Sequence, residues 1–462
     1  MWRNVMSLCE TTLKSAICLL VCATMVFGGQ TDQNKPFVIK LNIPAPEDSA
    51  GGIIVADADD DGKMDYLVTV PGHLAVYGSD GRKLWIKKID IVVGSSSERQ
   101  GLPGHNGPGV AAGDVDGDGN CEVVFLTKDS VLHVVEGATG KEQASAAPAY
   151  PREAARWEVA MIADFRGTGG DRDILLQTTN KTGYRMGKFL AAYTMDQLLS
   201  GGEPLWETDK FLSCAHNGAR LVDLDGDGRD EVLGATIFSP EGKLLARAVP
   251  GRWHMDSVFV ADVRPEMPGL EVIMLEEGAN HVQVVGMAGP IWRSNFKKQE
   301  PQNAAIGRFS KGSDDIFIWC RSRYTQHQKP FVFDSSGNKI FDYSMDDVAP
   351  EGWTASGVEV IYTIDWTGKR QQLACAKERH ESGDICIFEP LTGKFVAHFG
   401  EHADRLYVAD VTGDWREEMI VLNGSELHIY QNTEPNPRPD KERLWVERNY
   451  RRLKQCHNYY SP

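Results

Sequence analysis

The sequence has little positive charge and few cysteines, and each shortage excludes a class of protein. Its 49 lysine and arginine residues stand against 65 acidic residues, for a net charge of −16. This balance argues against general binding to nucleic acid or to an anionic membrane, which needs clustered positive charge. Nine cysteines in 462 residues are too dilute for a disulfide scaffold. With 25% charged and 42% hydrophobic residues, the chain is typical of a globular protein, and we expect a monomer.

Long apolar runs are missing from the chain except near its start. Residues 1–29 are predicted to be a secretory signal peptide. Arg3 and Lys14 form its positively charged region, and the apolar run from Ser15 to Phe27 follows them. That run is too short to span a bilayer, so we predict no membrane span. Residues 30–462 are predicted to form a single domain that is secreted or periplasmic.

Removal of the signal peptide would leave six cysteines, which permit 15 disulfide pairings that the sequence cannot choose between. They are Cys121, Cys214, Cys320, Cys375, Cys386 and Cys456. Cys375, His380, Cys386 and His457 could include zinc ligands, but no tight C-x-x-C pair supports such a site.

Glycine, in contrast, is abundant, at 46 residues, which favours a turn-rich all-β protein. One unit recurs along the chain: an apolar run, an Asp-rich turn, a second apolar run and a hairpin. The clearest copy extends from Arg220 to Leu245. The first turn positions of the eight copies are 39 to 59 residues apart and are Asp57, Asp114, Asp164, Asp223, Asp262, Arg308, Asp365 and Asp410.

Units of roughly 40–50 residues with several short strands each are typical of a β-propeller. A single small sheet cannot bury both faces, whereas sheets packed around an axis can. We therefore predict an all-β, eight-bladed propeller, with seven blades as the alternative because the sixth unit is degenerate. One terminus must complete the last blade, and either Phe37 to Ile43 or the segment from Leu444 could do so.

Three of the turns carry carboxylates at alternate positions, a Gly and a later carboxylate. Carboxylates spaced in this way converge on one point, and hard oxygen ligands suit Ca²⁺. The sequence therefore predicts Ca²⁺ sites that are structural, with a catalytic Ca²⁺ as the alternative. The predicted ligands are Asp57, Asp59, Asp61 and Asp65, then Asp114, Asp116, Asp118 and Glu122, then Asp223, Asp225, Asp227 and Glu231.

Four histidines precede predicted inner strands at an equivalent position of their units. In a propeller these positions fall on one face around the axis, where ligand pockets form. A catalytic imidazole among them is one interpretation, and hydrogen bonding to the backbone of a neighbouring blade is the other. The four are His105, His216, His254 and His402. Basic and aromatic residues such as Arg220, Arg252 and Tyr184 would add cations for carboxylates and rings for sugar faces.

The chain resembles the family 11 rhamnogalacturonan lyases in two stretches. One runs from His216-Asn217 through Asp223–Glu231 to Pro268–Val272, and the other comprises Gly413–Val421 with Leu427–Tyr430 and the terminal Asn449-Tyr450-Arg451. The resemblance implies a secreted, Ca²⁺-binding, eight-bladed polysaccharide lyase that cleaves an acidic, uronate-containing polysaccharide by β-elimination. An ulvan lyase-like propeller and a non-catalytic propeller that binds carbohydrate or protein are the alternatives.

β-Elimination needs a cation beside the carboxylate, a base for the C5 proton and an acid for the leaving oxygen. We assign His216 or His105 as the base. Arg220 or Arg252, together with His254, is assigned to neutralise the carboxylate. Tyr184 or Tyr450 is assigned as the acid.

Overall fold

In the computed structural model, nearly all regular structure is β. The structure describes residues 35–46, 51–91, 109–180, 186–214, 218–247, 255–294, 300–322, 329–341, 343–350, 353, 358–378 and 382–456. Within these ranges, 32 strands form eight separate four-stranded antiparallel sheets. The prediction of an eight-bladed β-propeller is confirmed, and the seven-bladed alternative is wrong.

The blades are numbered in chain order and their strands β1–β32. Blade 1 comprises β2 (Gly52–Ala56), β3 (Asp65–Val70), β4 (His73–Tyr77) and β5 (Lys83–Lys88); blade 2 comprises β6 (Val110–Gly113), β7 (Glu122–Leu126), β8 (Leu132–Glu136) and β9 (Glu142–Ala146). Blade 3 comprises β10 (Ala154–Ala163), β11 (Asp173–Asn180), β12 (Met186–Thr194) and β13 (Trp206–Thr208); blade 4 comprises β14 (Arg220–Val222), β15 (Glu231–Leu233), β16 (Thr236–Phe238) and β17 (Leu244–Arg247). Blade 5 comprises β18 (Met255–Ala261), β19 (Glu271–Glu276), β20 (His281–Gly286) and β21 (Gly289–Arg293); blade 6 comprises β22 (Pro301–Gly307), β23 (Phe317–Ser322), β24 (Phe331–Phe333) and β25 (Lys339–Phe341). Blade 7 comprises β26 (Val358–Ile364), β27 (Leu373–Glu378), β28 (Ile385–Phe388) and β29 (Phe395–Phe399); blade 8 comprises β30 (Arg405–Ala409), β31 (Glu418–Asn423), β32 (Glu426–Tyr430) and β1 (Phe37–Lys40).

The blades form a closed ring around an axis. The first strand of a blade contacts the first strand of its neighbour, as β2 does with both β6 and β30, so the first strands are the inner ones. Eight clusters of buried hydrophobic residues fill the eight spaces between neighbouring blades. Each sheet is thus buried on both faces by its two neighbours, which is the driving force for the ring.

The N-terminal strand closes the ring. β1 pairs antiparallel with β32, with Phe37 opposite Ile429 and Lys40 opposite Glu426. Strand β1 is therefore the outermost strand of a blade whose other three strands come from the far end of the sequence. Of the two segments predicted for this role, the one from Phe37 is confirmed, whereas the segment from Leu444 forms a 3₁₀ turn, Leu444–Val446, and a helix.

A tryptophan–glycine contact joins several neighbouring blades. Trp206 at the end of blade 3 donates its indole N–H to the Pro240 carbonyl of blade 4, at 2.8 Å. A Cβ on Gly242 would lie only 2.6 Å from the nearest atom of the Trp206 ring, and Gly242 has a φ of +73°. Glycine has no Cβ and adopts a positive φ without strain, so it suits this position. The pairs Trp85–Gly140 and Trp292–Gly337 repeat the arrangement between blades 1 and 2 and between blades 5 and 6.

The helices are few and short: α1 (Met195–Ser200), α2 (Met345–Val348), α3 (Arg448–Gln455) and a 3₁₀ turn at Glu277–Ala279. Helix α1 begins at a capping box of Thr194 and Gln197 and ends at Gly201 in the left-handed conformation. In the part of the chain that the structure describes, no helix combines the length and apolarity that crossing a bilayer requires. The six cysteines from Cys121 to Cys456 are buried free thiols.

Candidate functional site

The ring has two chemically different ends. At one end, the Asp-turn end, an inner strand turns into the second strand of its blade, and the three acidic turns lie there in blades 1, 2 and 4. At the other end, the crossover end, the last strand of each blade leads to the inner strand of the next. Because strands in each sheet alternate in direction, every turn from an inner strand to the second strand lies at the Asp-turn end. Every connection between blades lies at the crossover end.

The first carboxylate of the acidic turn accepts two glycine N–H groups in blades 2 and 4, and one in blade 1. Asp223 Oδ1 accepts from Gly226 N at 2.8 Å, and its Oδ2 accepts from Gly228 N at 3.0 Å. Asp114 receives the same two bonds in blade 2. Within each turn, three carboxylates place one oxygen each within 4.8 Å of the others: Asp57, Asp59 and Asp61; Asp114, Asp116 and Glu122; Asp223, Asp225 and Glu231.

The other predicted ligands have different contacts. Asp118 and Asp227 each accept a backbone N–H two residues further on, and Asp65 accepts the N–H groups of Ala58 and Ser79. These three carboxylates lie outside the groups described above. The ligand role of all twelve carboxylates stays a prediction.

Burial and mutual repulsion make the acidic turns unfavourable for free carboxylates. Burial, with neighbouring carboxylates adding to it, raises the pKa of Asp65 to about 6, of Glu122 to about 7 and of Glu231 to about 8. Asp57 Oδ1 and Asp59 Oδ1 are buried and have no hydrogen-bond partner among the described residues. Such oxygens fit a bound divalent cation.

In the degenerate turns, donors from the protein itself bind the corresponding carboxylates. Arg166 Nε lies 2.8 Å from Asp173 in blade 3. In blade 7, Gln372 donates to Asp365 at 2.9 Å. In blade 8, the N–H of Leu444 donates to Asp410 at 2.9 Å. The protein itself therefore supplies hydrogen-bond donors to the carboxylates of these turns.

Helix α3 covers the axis at the Asp-turn end. It contacts the inner strands of blades 1 and 4, and the hydroxyl of Tyr407 in blade 8 donates to the Lys454 carbonyl at 2.9 Å. Arg452 forms ion pairs with Asp230 at 2.9 Å and with Asp171 at 2.6 Å. The helix therefore connects several blades across the axis at this end.

Two of the predicted catalytic residues lie beside α3 and are used within the protein. Arg220 is 2% exposed, and its guanidinium donates to the carbonyls of Val258 and Leu453. Burial lowers its pKa to about 10. The Tyr450 hydroxyl donates to a Glu417 carboxylate oxygen and accepts from Asp410 N, both at 2.9 Å. Both side chains therefore have a structural role through these contacts. Their catalytic assignments stay predictions.

The other predicted catalytic residues lie outside the described residues: His105, His216, His254, Arg252 and Tyr184. The strand ends that flank these segments are all at the crossover end: the histidines and Arg252 lie between two blades, and Tyr184 lies between β11 and β12 of blade 3. The structure therefore neither brings these side chains together nor separates them.

Sequence reasoning missed the bulges in four inner strands, three of which carry polar side chains. In β10 and β18, one extra residue interrupts the pairing, and the residues concerned are Glu158 and Asp256, both 0% exposed. In β22, the shift lies at Gln302 and Asn303, and in β26 at Val360. Bulges redirect side chains and are frequent beside active sites.

The bulged blades, 3, 5, 6 and 7, are not the blades with acidic turns. Glu158 and Asp256 each lie six positions before the first residue of their turn, Asp164 and Asp262. Glu158 pairs with Arg156 at 2.7 Å. Burial raises the pKa of Glu158 although Arg156 opposes this. The six-residue spacing from each acidic residue to its turn was the signal available in the sequence. An acidic residue within an apolar strand can be recognised as a bulge only once the strand pairing is known.

Comparisons with known proteins agree with this architecture. The Vibrio cholerae biofilm matrix protein Bap1 matches with a TM-score of 0.55 and 12% identity, over 92% of this chain and 96% of that structure. Sqt1 of Saccharomyces cerevisiae matches with a TM-score of 0.51 and 9% identity, over 86% and 99%. These likenesses show the fold alone, so the class of protein at this point is a β-propeller.

Sequence comparison then identifies the family. The rhamnogalacturonan lyase family 11, C-terminal domain, matches residues 178–452, and the chain belongs to rhamnogalacturonan lyase family 11. Rhamnogalacturonan exolyase YesX of Bacillus subtilis (strain 168) is 24% identical over 88% of this chain and 73% of its own length. Rhamnogalacturonan endolyase YesW of the same organism is 24% identical over 84% and 68%. The predicted relationship and the predicted enzyme class, a polysaccharide lyase, are confirmed.

Proposed function

We propose that this protein cleaves rhamnogalacturonan by β-elimination at the crossover end of the propeller. The observation that carries the proposal is the family match, which extends from blade 3 to α3. Two further features support the choice of end. Helix α3 covers the axis at the Asp-turn end, and inner strands of blades 3, 5 and 6 bury acidic and amide side chains at bulges near their crossover ends. Burying a charge costs stability unless it is paired and hydrogen-bonded, and such costly groups are frequent at functional sites.

The reaction consumes a uronate whose C5 proton is made acidic by the adjacent carboxylate. A base takes that proton, the C4–C5 bond becomes double, and the C4–O bond breaks. A cation near the carboxylate stabilises the charge that develops on it. Arg156 is a described cation at this end, half-buried and paired with Glu158. His105, His216, His254, Arg252 and Tyr184 stay predicted for the remaining roles.

The acidic turns support a proposal of bound Ca²⁺ with a structural role. The residues that would hold it are the three groups of carboxylates that converge in blades 1, 2 and 4. Ca²⁺ would neutralise carboxylates that otherwise repel one another and would fix the first turn of each blade. The distance of these turns from the crossover end argues for a structural ion.

The test is the ultraviolet absorbance of the unsaturated uronate that β-elimination produces. Purified protein is incubated with rhamnogalacturonan, and in parallel with ulvan and with other uronate polysaccharides. We expect absorbance to rise with rhamnogalacturonan. Retained binding to the polysaccharide without any rise would instead support the non-catalytic propeller, and a rise with ulvan alone would support the ulvan lyase alternative.

Secretion to the periplasm or outside the cell, and a monomeric state, complete the proposal. The predicted signal peptide supports export, and the acidic net charge supports a partner that is not nucleic acid. Cell fractionation and light scattering of the purified protein would test the two statements.

A further inference from the structure

The loop between β29 and β30 displays an exposed histidine at the crossover end. His402 precedes the inner strand of blade 8 by three residues, and its side chain is 70% exposed. Of the other described histidines, those at positions 73, 133, 281 and 428 are half-buried. His398 is also exposed, but its side chain is only 33% exposed and its Nε2 lies 2.8 Å from Asp384 Oδ2. His402 therefore has the most exposed imidazole among the described histidines.

The protein holds His402 in one tautomer. Nδ1 lies 3.2 Å from the carbonyl oxygen of Ser382. A carbonyl can only accept, so Nδ1 carries the proton and the neutral ring has its lone pair on Nε2. Asp404 Oδ1 is 4.0 Å from Nε2, beyond hydrogen-bond distance, and among the described residues no donor binds Nε2. The basic nitrogen is thus the exposed one.

The residue before His402 anchors the loop. Glu401 is 6% exposed and accepts from Asn423 Nδ2 at 2.5 Å, from Tyr430 Oη at 2.5 Å and from His428 Nδ1 at 2.8 Å. Three side chains of blade 8 therefore bind one carboxylate. This network leaves the loop little freedom next to the imidazole.

Blade 7 supports the loop from the other side. The Gly383 carbonyl accepts from Ala403 N at 3.1 Å, and Gly383 N donates to the buried carboxylate of Glu378 at 3.1 Å. Gly383 has a φ of +73°, and a Cβ there would lie 3.2 Å from His402 Nδ1. Glycine lets the blade 7 loop pack directly against the ring. An exposed imidazole adds little to folding stability, so the precise support indicates a chemical role.

We propose that His402 is the general base of the lyase reaction, with Glu401 as a positioning residue; this rests on the proposed function. Nε2 takes the proton from C5 of the uronate. The electron pair of the C–H bond forms the C4–C5 double bond, and the C4–O bond breaks with its electron pair remaining on the glycosidic oxygen. That oxygen takes a proton from water, and the imidazolium releases its proton to solvent.

The first experiment compares His402→Ala with the matched variant His133→Ala on rhamnogalacturonan. His133 lies in the third strand of blade 2 and contacts Glu142 of the outer strand, away from the axis. A general base contributes about 10²–10⁴-fold. We expect kcat of His402→Ala to fall by that factor with KM nearly unchanged, and His133→Ala to keep wild-type kinetics. Both variants should keep the wild-type circular dichroism spectrum.

Added imidazole separates a base from a structural residue. Free imidazole should restore part of the activity of His402→Ala, because it can enter the space left by the side chain and take the proton. Glu401→Gln should also lower kcat. Added imidazole should not restore this variant, because the ring of His402 is still present there but is misplaced.

The outcomes are distinguishable. If the wild-type protein forms no unsaturated uronate from rhamnogalacturonan, the proposed function is wrong. If the wild type is active and His402→Ala stays within twofold of it, the base assignment to His402 is wrong and His105 and His216 are the next variants to measure. A large rise in KM without loss of kcat, or an inactive variant that imidazole does not restore, also overturns the role as base.

Discussion

Replacing Asp230 with alanine should destabilise the protein by about 3–5 kcal/mol, the usual cost of leaving a buried charge without its partner. Asp230 is 0% exposed and binds three donors: Arg452 Nε at 2.9 Å, an Arg448 guanidinium nitrogen at 2.8 Å and Asp164 N at 2.7 Å. The carboxylate thus connects α3 to blades 3 and 4. Its loss leaves the guanidinium of Arg452, 4% exposed, with Asp171 alone.

The expected change in melting temperature follows from chain length. At about 2.1 cal/mol/K per residue, the unfolding entropy of a chain of this size is about 1 kcal/mol/K, so the loss corresponds to about 3–5 °C if unfolding is cooperative. Differential scanning calorimetry measures it directly.

The matched control for this variant is Asp314→Ala, which removes the partner of Arg370 in an ion pair that is 74% and 58% exposed. Such a surface pair contributes at most about 1 kcal/mol. The double variant Asp230→Ala/Arg452→Met should recover part of the loss, because the buried guanidinium of Arg452 is no longer present. If Asp230→Ala melted within about 1 °C of the control, α3 would not anchor the ring as described.

Further predictions concern the blade contacts, a buried ion pair, the acidic turns and the proposed base. Gly242→Ala should lose about 1–3 kcal/mol, measured by thermal unfolding, because the new Cβ would collide with the Trp206 ring and φ is positive; full stability would contradict the packing. Burial lowers the pKa of His428, but hydrogen bonds to Glu401 and Glu426 outweigh burial and raise that pKa above its ordinary value. Burial raises the pKa of Glu401, but the side chains that donate to Glu401 outweigh burial and lower that pKa. The contribution of His428 to stability is complete below the ordinary pKa of histidine and is lost as pH rises through its raised pKa. The contribution of Glu401 to stability is lost as pH falls through its lowered pKa. His428→Ala should therefore lower the melting temperature most between roughly pH 4 and 6.5; an equal loss at pH 9 would contradict this. Chelation of Ca²⁺ held at 100 times its Kd should cost about 2.7 kcal/mol per site, and an unchanged melting temperature would remove the proposed structural role. His402→Ala should lose turnover, with partial recovery in imidazole.

The ring and its repeat could be predicted from the sequence because each unit carries its own local signal. All eight first turn positions, from Asp57 to Asp410, lie directly after or within two residues of the end of an inner strand. The alternation of apolar residues and the turn chemistry are local properties, and eight copies reinforce one another. The rule that a ring without an edge uses one terminus predicted a closing strand but left two candidates, Phe37 to Ile43 and the segment from Leu444, and the structure chooses the first.

The contents of the site were less predictable, because they depend on contacts between distant residues. Helix α3 is strongly polar in sequence, yet Arg452 is buried against Asp230, 222 residues away. Tyr450, one of the two residues assigned as the acid, donates its hydroxyl to Glu417 and accepts from the backbone N–H of Asp410, which are contacts that its own segment does not predict. The bulges at Glu158 and Asp256 are properties of strand pairing, so no single segment reveals them.

The most direct test is a crystal structure of the His402→Ala variant with a bound rhamnogalacturonan oligosaccharide. The account predicts that the sugar lies at the crossover end, with a uronate C5 facing the position of the missing imidazole. An oligosaccharide bound at the opposite end of the ring, against α3 and the acidic turns, would contradict it.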